Sequence, residues 1–360
     1  MDFWRKILIL AIIVLFSYIL YRLLLKRSVI LQGNIEKVEG LHVEGFTPAT
    51  TGPSISNFNV NALTNNNGIT DPLTAKQFKQ FVIKASYHTC YTGTDLSAEM
   101  VTYALKRGYR WLDFYTDCIG SSSATTVSYS NNDTEVASTP TKPTFSEIFT
   151  TIARHAFISP DSPNPNDPIF IQIRTIYDGK DENQPALTLM KSLTDSDSIL
   201  YSRLYQGQID KTITMDKLLG KVIFAIDNTI YKKLTNKNGF MSYNDNGIIT
   251  TADNSKVASL NAPLPLILKD NFTTNPPKIA YQILPTGSTA NSDIYSTIQK
   301  IGCQITPQAI WSNDGHLANY EAIFDNANAA IVPLSNALKY TKANDPNVVS
   351  SSYPGAFSGK

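Results

Sequence analysis

Apolar and polar positions change period several times along this chain, and each change marks a boundary. The first follows a long apolar run, Ile7 to Leu25, interrupted only by Ser17 and Arg22. As a helix rising about 1.5 Å per residue it spans about 28 Å, close to the hydrocarbon thickness of a bilayer. Arg22 lies one turn from its end and can snorkel to the interface, while Trp4, Tyr18 and Tyr21 suit interfacial positions. No small-residue cleavage site follows, so residues 1–27 are expected to form an uncleaved membrane anchor rather than a removed signal peptide. Arg5 and Lys6 precede the run and Arg22, Lys26 and Arg27 follow it, a slight bias toward a cytoplasmic main domain. Between 28 and 77 the pattern loses its period in Asn, Thr, Gly and Pro, as expected of a flexible stalk.

From 78 to 340, short runs rich in Ile, Val, Tyr and Phe alternate with helical periods. Strands are expected at Phe81–Ser86, Tyr109–Tyr115, Thr126–Ser130, Ile169–Arg174, Val222–Ile226, Lys278–Leu284, Gln304–Trp311 and Ala330–Leu334. Helices are expected at Ser97–Arg107, Thr144–Phe157, Pro185–Leu193, Asn291–Lys300 and Leu317–Phe324. The second opens on a TFSE capping box and carries Ile148, Phe149, Ile152, Ala153 and Ala156 at helical spacing. Such alternation implies an α/β fold with a mostly parallel sheet, and eight strand runs suggest an irregular (β/α)8 barrel of the TIM type. Residues 231–277, rich in Asn, Lys and Gly, fit the alternation least and read as an insertion on the rim. Residues 341–360 read as a disordered tail.

Composition narrows the partners. The 360 residues are 42% apolar and 17% charged with a formal charge of +1, enough for one large domain plus an appendage. No basic footprint for nucleic acid is visible. Cys90, Cys118 and Cys303 show no CxxC spacing, which argues against a zinc site or a disulfide scaffold and for small buried hydrophobes. GxSxG and Walker patterns are absent.

Candidate chemistry concentrates between Phe81 and Asp113, where FVIKASYHTCYTG is followed by ALKRGYRWLD. This resembles the opening of the X region of phosphatidylinositol-specific phospholipase C, a strand ending in an SSHNTYLTG-like run, a helix, and RGCRCVELD. The resemblance continues. TFSEIFTTIARHAF is similar to the family's SFxxVLxxIxxHAF helix, PIFIQIRT to PVILSLEN, LLGKVIFAID to LxxKILIKxK, and GCQITPQAIW to GCQMVALNFQ. The five motifs keep the family's order over roughly Phe78 to Tyr340. SPNPNDPIFIQIR with ASYHTC is particularly similar to divergent members encoded by giant DNA viruses.

The family's chemistry, as the resemblance implies it, needs two histidines across the substrate phosphate, and eukaryotic members add calcium. Counting back from Gly93, the first catalytic histidine falls on Tyr87 and the calcium-binding Asn on His88. Adjacent strand residues face opposite sides, so His88 replaces Tyr87 only if the strand is bulged. No histidine occurs between Thr89 and Arg154, which removes the second in any register; His155 reads as structural. The calcium ligands fall on Asp113, Tyr115 and Arg174, a poor set for a cation that takes six to eight oxygens, so neither calcium nor another cofactor is expected. Arg174, ending a strand at the mouth, could bind a phosphate or be neutralised by Asp113. Asp117, Asp227 and Asp314 read as turn or cap residues.

Three functions stay open. One is a catalytically impaired module at a membrane, virion or host, that binds a lipid such as one with a phosphoinositide headgroup through Arg174, Asp113 and His88. Another is a calcium-independent phosphodiesterase with His88 as base and Asp113 or a tyrosine as acid. The third is a structural membrane protein without a ligand.

Overall fold

The structure, a computed structural model, describes residues 77–117, 126–130, 142–158, 161–176, 183–193, 198–210, 212–243, 249–253, 280–285 and 291–346. The expected anchor, almost all of the stalk and the tail beyond 346 lie outside these residues. Among the described residues no helix is long and apolar enough to cross a membrane.

The described residues contain nine strands, several of them separated by helices. They are β1 (Phe81–Ile83), β2 (Ala85–Ser86), β3 (Trp111–Asp117), β4 (Ile169–Ile176), β5 (Val222–Asp227), β6 (Phe240–Tyr243), β7 (Ile249–Asp253), β8 (Ala280–Leu284) and β9 (Ile331–Pro333). Strands β2 to β8 form a seven-stranded sheet in sequence order with every pairing parallel, while β1 and β9 pair antiparallel. The helices are α1 (Glu99–Lys106), α2 (Phe145–His155), α3 (Asn183–Leu193), α4 (Met215–Leu218), α5 (Asn228–Lys233), α6 (Gly315–Ala327) and α7 (Leu334–Asn344), with a π-helical turn at Tyr295–Gln299.

The sheet curls. Gln172 of β4 and Gln282 of β8 are four strands apart, which in a flat sheet means about 19 Å. Yet Gln172 Nε2 donates to Gln282 Oε1 at 3.1 Å, and Trp111 Nε1 donates to Gln172 Oε1 at 2.9 Å. Below this polar layer the interior is apolar, with Phe81, Ile83, Trp111, Phe170, Ile223, Met241 and Ile305 in one buried cluster. Register aligns the layers, since Trp111 pairs with Phe170 and Phe170 with Ile223. Residues 304–308 lie between the sheet's two edges, with parallel bridges from Ile305 to both Gln282 and Ile83 and from Gln308 to Ser86.

Several expectations need correction. Residues 231–277 are not simply an insertion, because β6 and β7 lie within them and pair in the parallel sheet. Their polar composition hides two strands of four and five residues. Thr126–Ser130 and Gln304–Trp311 form isolated bridges rather than continuous ladders, and Pro307 has no N–H to extend one. Ala330–Leu334 supplies β9, but antiparallel to β1. The last helix runs to Asn344, beyond the expected boundary at 340.

The first strand is broken at Lys84, and the break is repaired by a side chain. Tyr320 of α6 accepts the Ala85 N–H at 2.7 Å and donates to the Ile83 carbonyl at 3.1 Å. Capping fixes α2 as anticipated. Thr144 Oγ1 accepts from Glu147 N at 3.2 Å while Glu147 Oε2 accepts from Thr144 N at 2.8 Å. After α1, Gly108 at φ +80° takes the left-handed conformation that turns the chain into β3.

Lys84 itself points into a buried charge cluster. Its Nζ is 3.7 Å from both Glu321 Oε1 and Asp325 Oδ1 and 5.1 Å from the Tyr109 ring centre; Arg107 also pairs with Glu321. Burial, only partly offset by Asp325, lowers the Lys84 pKa from 10.5 to about 7. Between these two values the unfolded chain holds a proton that the folded one has released, so this lysine makes stability rise with pH across that window and adds no slope outside it. Lys84→Met, which leaves Glu321 with Arg107 and Tyr109, should therefore show a urea midpoint whose advantage over the parent narrows steadily from pH 7 to pH 10. An unchanged difference would refute the assignment.

Candidate functional site

Side chains from the end of β2, from within β3 and from near the end of β4 converge. Strand β2 stops at Ser86, and His88 takes φ +41°, a left-handed conformation uncommon for a residue with a Cβ. This turn removes the alternation of a strand. Tyr87 and His88 consequently both reach Arg174, with the Tyr87 ring centre 4.8 Å from the guanidinium carbon and His88 Nε2 3.1 Å from Nη2. The choice between the two residues, posed by strand geometry, does not arise in the folded chain.

Asp113 holds the arrangement together. Arg174 Nε donates to its Oδ1 and Nη2 to its Oδ2, both at 2.8 Å, forming a two-pronged ion pair between neighbouring strands. The backbone N–H of His88 donates to the same Oδ2 at 2.9 Å. Thr89 secures the turn further, its N–H donating to the Asp113 carbonyl at 2.8 Å and its hydroxyl accepting the Asp113 N–H at 2.9 Å. His88, Asp113 and Arg174 are 2%, 0% and 3% exposed, so the cluster is enclosed.

His88 Nε2 also lies 2.8 Å from the Ser130 carbonyl oxygen. That oxygen calls for a proton on Nε2, whereas the guanidinium calls for a lone pair there. Either way the nitrogen is engaged within the protein.

Aromatic rings surround these groups. His88 packs against Tyr87, Tyr129 and Tyr115 at centroid distances of 4.3, 4.7 and 5.8 Å. Tyr129 stacks on Tyr91 at 3.8 Å, and Trp311 meets Tyr91 edge-on at 4.9 Å. Burial raises the pKa of both Tyr91 and Tyr129, so neither is poised as a base near neutrality. Sequence reasoning did not assemble this set. Its signal was faint: Tyr91 belongs to the YHTCYTG run and Trp311 ends the GCQITPQAIW run, each just past a strand position.

The other candidates stay apart. His155 Nδ1 faces Asp161 at 3.0 Å on α2, and His316 is exposed on α6. Asp227 and Asp314 are helix caps as expected, accepting from Thr229 N at 2.7 Å and Leu317 N at 2.9 Å. Cys90 and Cys303 are buried, and the Cys303 Sγ lies 3.2 Å from the Ile305 carbonyl oxygen. His42, Cys118 and the Asp117 side chain lie outside the described residues.

Calcium does not fit these side chains. Both oxygens of Asp113 already accept from a guanidinium, and a positive charge stands where the last ligand would be. Among the described residues no group of three His, Cys, Asp or Glu could hold a metal ion.

A curled parallel sheet with polar groups gathered at the carboxyl ends of its strands defines a class, and comparison with solved structures specifies it. L. pealei PLC21 is similar with a TM-score of 0.52 and 14% identity, over 72% of this chain and 37% of that one. S. officinalis PLC21 is similar with a TM-score of 0.52 and 13% identity, over 74% and 38%. The S. aureus phosphatidylinositol-specific phospholipase C gives a TM-score of 0.39 and 15% identity, over 61% and 78%. The chain therefore shares the fold of the two PLC21 proteins over 72% and 74% of its own length. The chain spans less than two fifths of the two PLC21 proteins. No family model and no curated protein matches the sequence.

Proposed function

We propose that this chain is a catalytically impaired protein of phospholipase C-like fold, held at a membrane by Ile7 to Leu25, that binds phosphate-bearing lipid headgroups at Arg174. In this reading residues 304–308 complete the curled sheet as a barrel. The observation that carries the reading is the engagement of His88 Nε2 with Ser130 and Arg174. A general base needs that lone pair directed at a substrate hydroxyl, and its loss typically costs 10² to 10⁴ in rate. The histidine-free interval from Thr89 to Arg154 removes a partner acid as well.

Arg174 supports binding in a specific way. A phosphate must compete with the Asp113 carboxylate for the guanidinium, which favours a dianionic monoester over a singly charged diester. The full chain in detergent should release no inositol phosphate from phosphatidylinositol above a heat-denatured control. It should still bind vesicles containing a phosphoinositide monophosphate more tightly than phosphatidylcholine vesicles, and Arg174→Lys, which keeps the charge but loses the fork, should weaken this preference.

A second reading draws on the convergence of His88, Asp113 and Arg174. It holds that the protein is a working calcium-independent phosphodiesterase with His88 as base. Turnover that His88→Ala abolishes would establish it and overturn the first.

A further inference from the structure

The groups at the centre of the site are enclosed by rings from three separate loops. Tyr91 lies on the loop after β2, Tyr129 on the segment after β3, and Trp311 just beyond residues 304–308. Tyr129 is the inner member, in contact with both His88 and Tyr91, tilted at 57° to the first and stacked at 11° on the second. Trp311 is the outer brace. It meets Tyr91 at 85° and Tyr129 at 84°, and lies at 29° to Tyr87 with centroids 6.3 Å apart.

The two outer rings are half-buried while Tyr129, His88 and Arg174 are buried, so the stack grades inward from solvent to His88, whose Nε2 lies 3.1 Å from Arg174 Nη2. Gly93, at φ +103°, lets the loop double back beneath Trp311; a Cβ built there would sit 3.4 Å from Trp311 Cδ1. The Tyr91 hydroxyl is tied to the Gly93 carbonyl at 2.6 Å. Ring contacts of this kind are individually weak, each worth about a twofold to tenfold bias, and can open without unfolding the sheet.

The geometry points to an aromatic gate: Tyr91, Tyr129 and Trp311 close over His88 and Arg174, and a phosphate group reaches the guanidinium only when Tyr91 and Trp311 part. This regulates the headgroup site proposed above and rests on that reading for its ligand, but not for its motion. Because binding must first open the gate, apparent affinity is reduced by the fraction of molecules that are open.

The test uses acylation of histidines by diethylpyrocarbonate on the full chain, followed peptide by peptide by mass spectrometry. Exposed His316 reports reagent strength, and His155, whose side chain is 29% exposed, reports general opening. In the parent His88 should react far more slowly than His316. Trp311→Ala should speed His88 by about tenfold or more, since it removes contacts to three rings, with His155 and His316 unchanged. Tyr91→Leu, which keeps apolar bulk in the loop, should give a smaller increase in the same residue.

Unchanged His88 reactivity in both variants overturns the gate. A parallel rise at His88 and His155 in both, which marks global loosening, overturns it too. Titration with inorganic phosphate and with phosphoinositide vesicles separates the ligand question. Faster His88 acylation without binding of either probe upholds the gate and removes the headgroup reading. Tighter binding of both in Trp311→Ala upholds gate and site together. Tighter binding of the vesicles alone upholds the gate with a lipid headgroup, not free phosphate, as its ligand.

Discussion

Arg174→Met is expected to destabilise the protein by about 3–5 kcal/mol, because it leaves Asp113 charged, fully buried and without its guanidinium. One acceptor bond would remain, from the His88 N–H. The loss is therefore electrostatic first and geometric second, since the left-handed turn at His88 hangs on the same carboxylate. Urea unfolding measures it directly. The double variant Arg174→Met with Asp113→Asn should recover part of the loss, because an Asn oxygen still accepts from His88 N–H and no buried charge is left over. A single-variant cost below about 1 kcal/mol would mean that water or another cation reaches Asp113, and the enclosed site would be wrong.

A comparable loss is expected from Arg110→Met, just before the start of β3, again about 3–5 kcal/mol. Arg110 has no exposed surface. Its guanidinium donates to the Ala156 carbonyl at 2.8 Å and also to Ser162 Oγ and the Asn164 carbonyl, so it gathers the loop between α2 and β4. Burial raises the Asp167 pKa from 3.8 to about 6, and the charge of Arg110 opposes the rise. Removing that charge should push Asp167 higher still. A raised carboxyl contributes stability that is complete below its unfolded value and is lost as pH rises to its folded value; parent and variant lose it alike between pH 4 and about 6, so the extra cost of Arg110→Met should grow only above about pH 6. Hydrogen exchange should localise the damage to residues 156–167. Damage spread evenly over β3 and β4 would contradict the role given to this arginine.

Both arginines were visible in the sequence, but only one was singled out. Arg174 stood out because it replaced an acidic residue in a recognisable strand motif. Arg110 lay in the RGYRWLD run and looked like part of a framework, while SPNPNDPIF looked like a marker of kinship. Neither reading revealed that the second segment wraps the first, since contacts between residues some fifty positions apart leave no periodic trace. The same limit explains β6 and β7. FMSY and ITTAD are too short and too polar to announce themselves, and become strands because β5 and β8 offer edges to pair with.

Local rules explain what could be read directly. Period-two and helical patterning placed β3, β4, β5 and four helices to within a few residues, and the Thr144 and Glu147 pair marked the start of α2. The absence of histidine between Thr89 and Arg154 needs no structure at all. The site's inner geometry needed the folded chain. Strand alternation put Tyr87 and His88 on opposite faces, yet the strand ends at Ser86, and a left-handed residue held by Asp113 brings both to Arg174.

By itself, then, the sequence determined β3, β4, β5 and four helices, the apolar runs of the interior and the histidine-free interval from Thr89 to Arg154, all properties of residues near one another or of residues absent from a segment. Tertiary structure decided that Arg174 is paired with Asp113, that His88 is turned onto that pair, and that three distant loops close their rings above it. These depend on strand register and sheet curl, which bring together side chains that no local pattern connects.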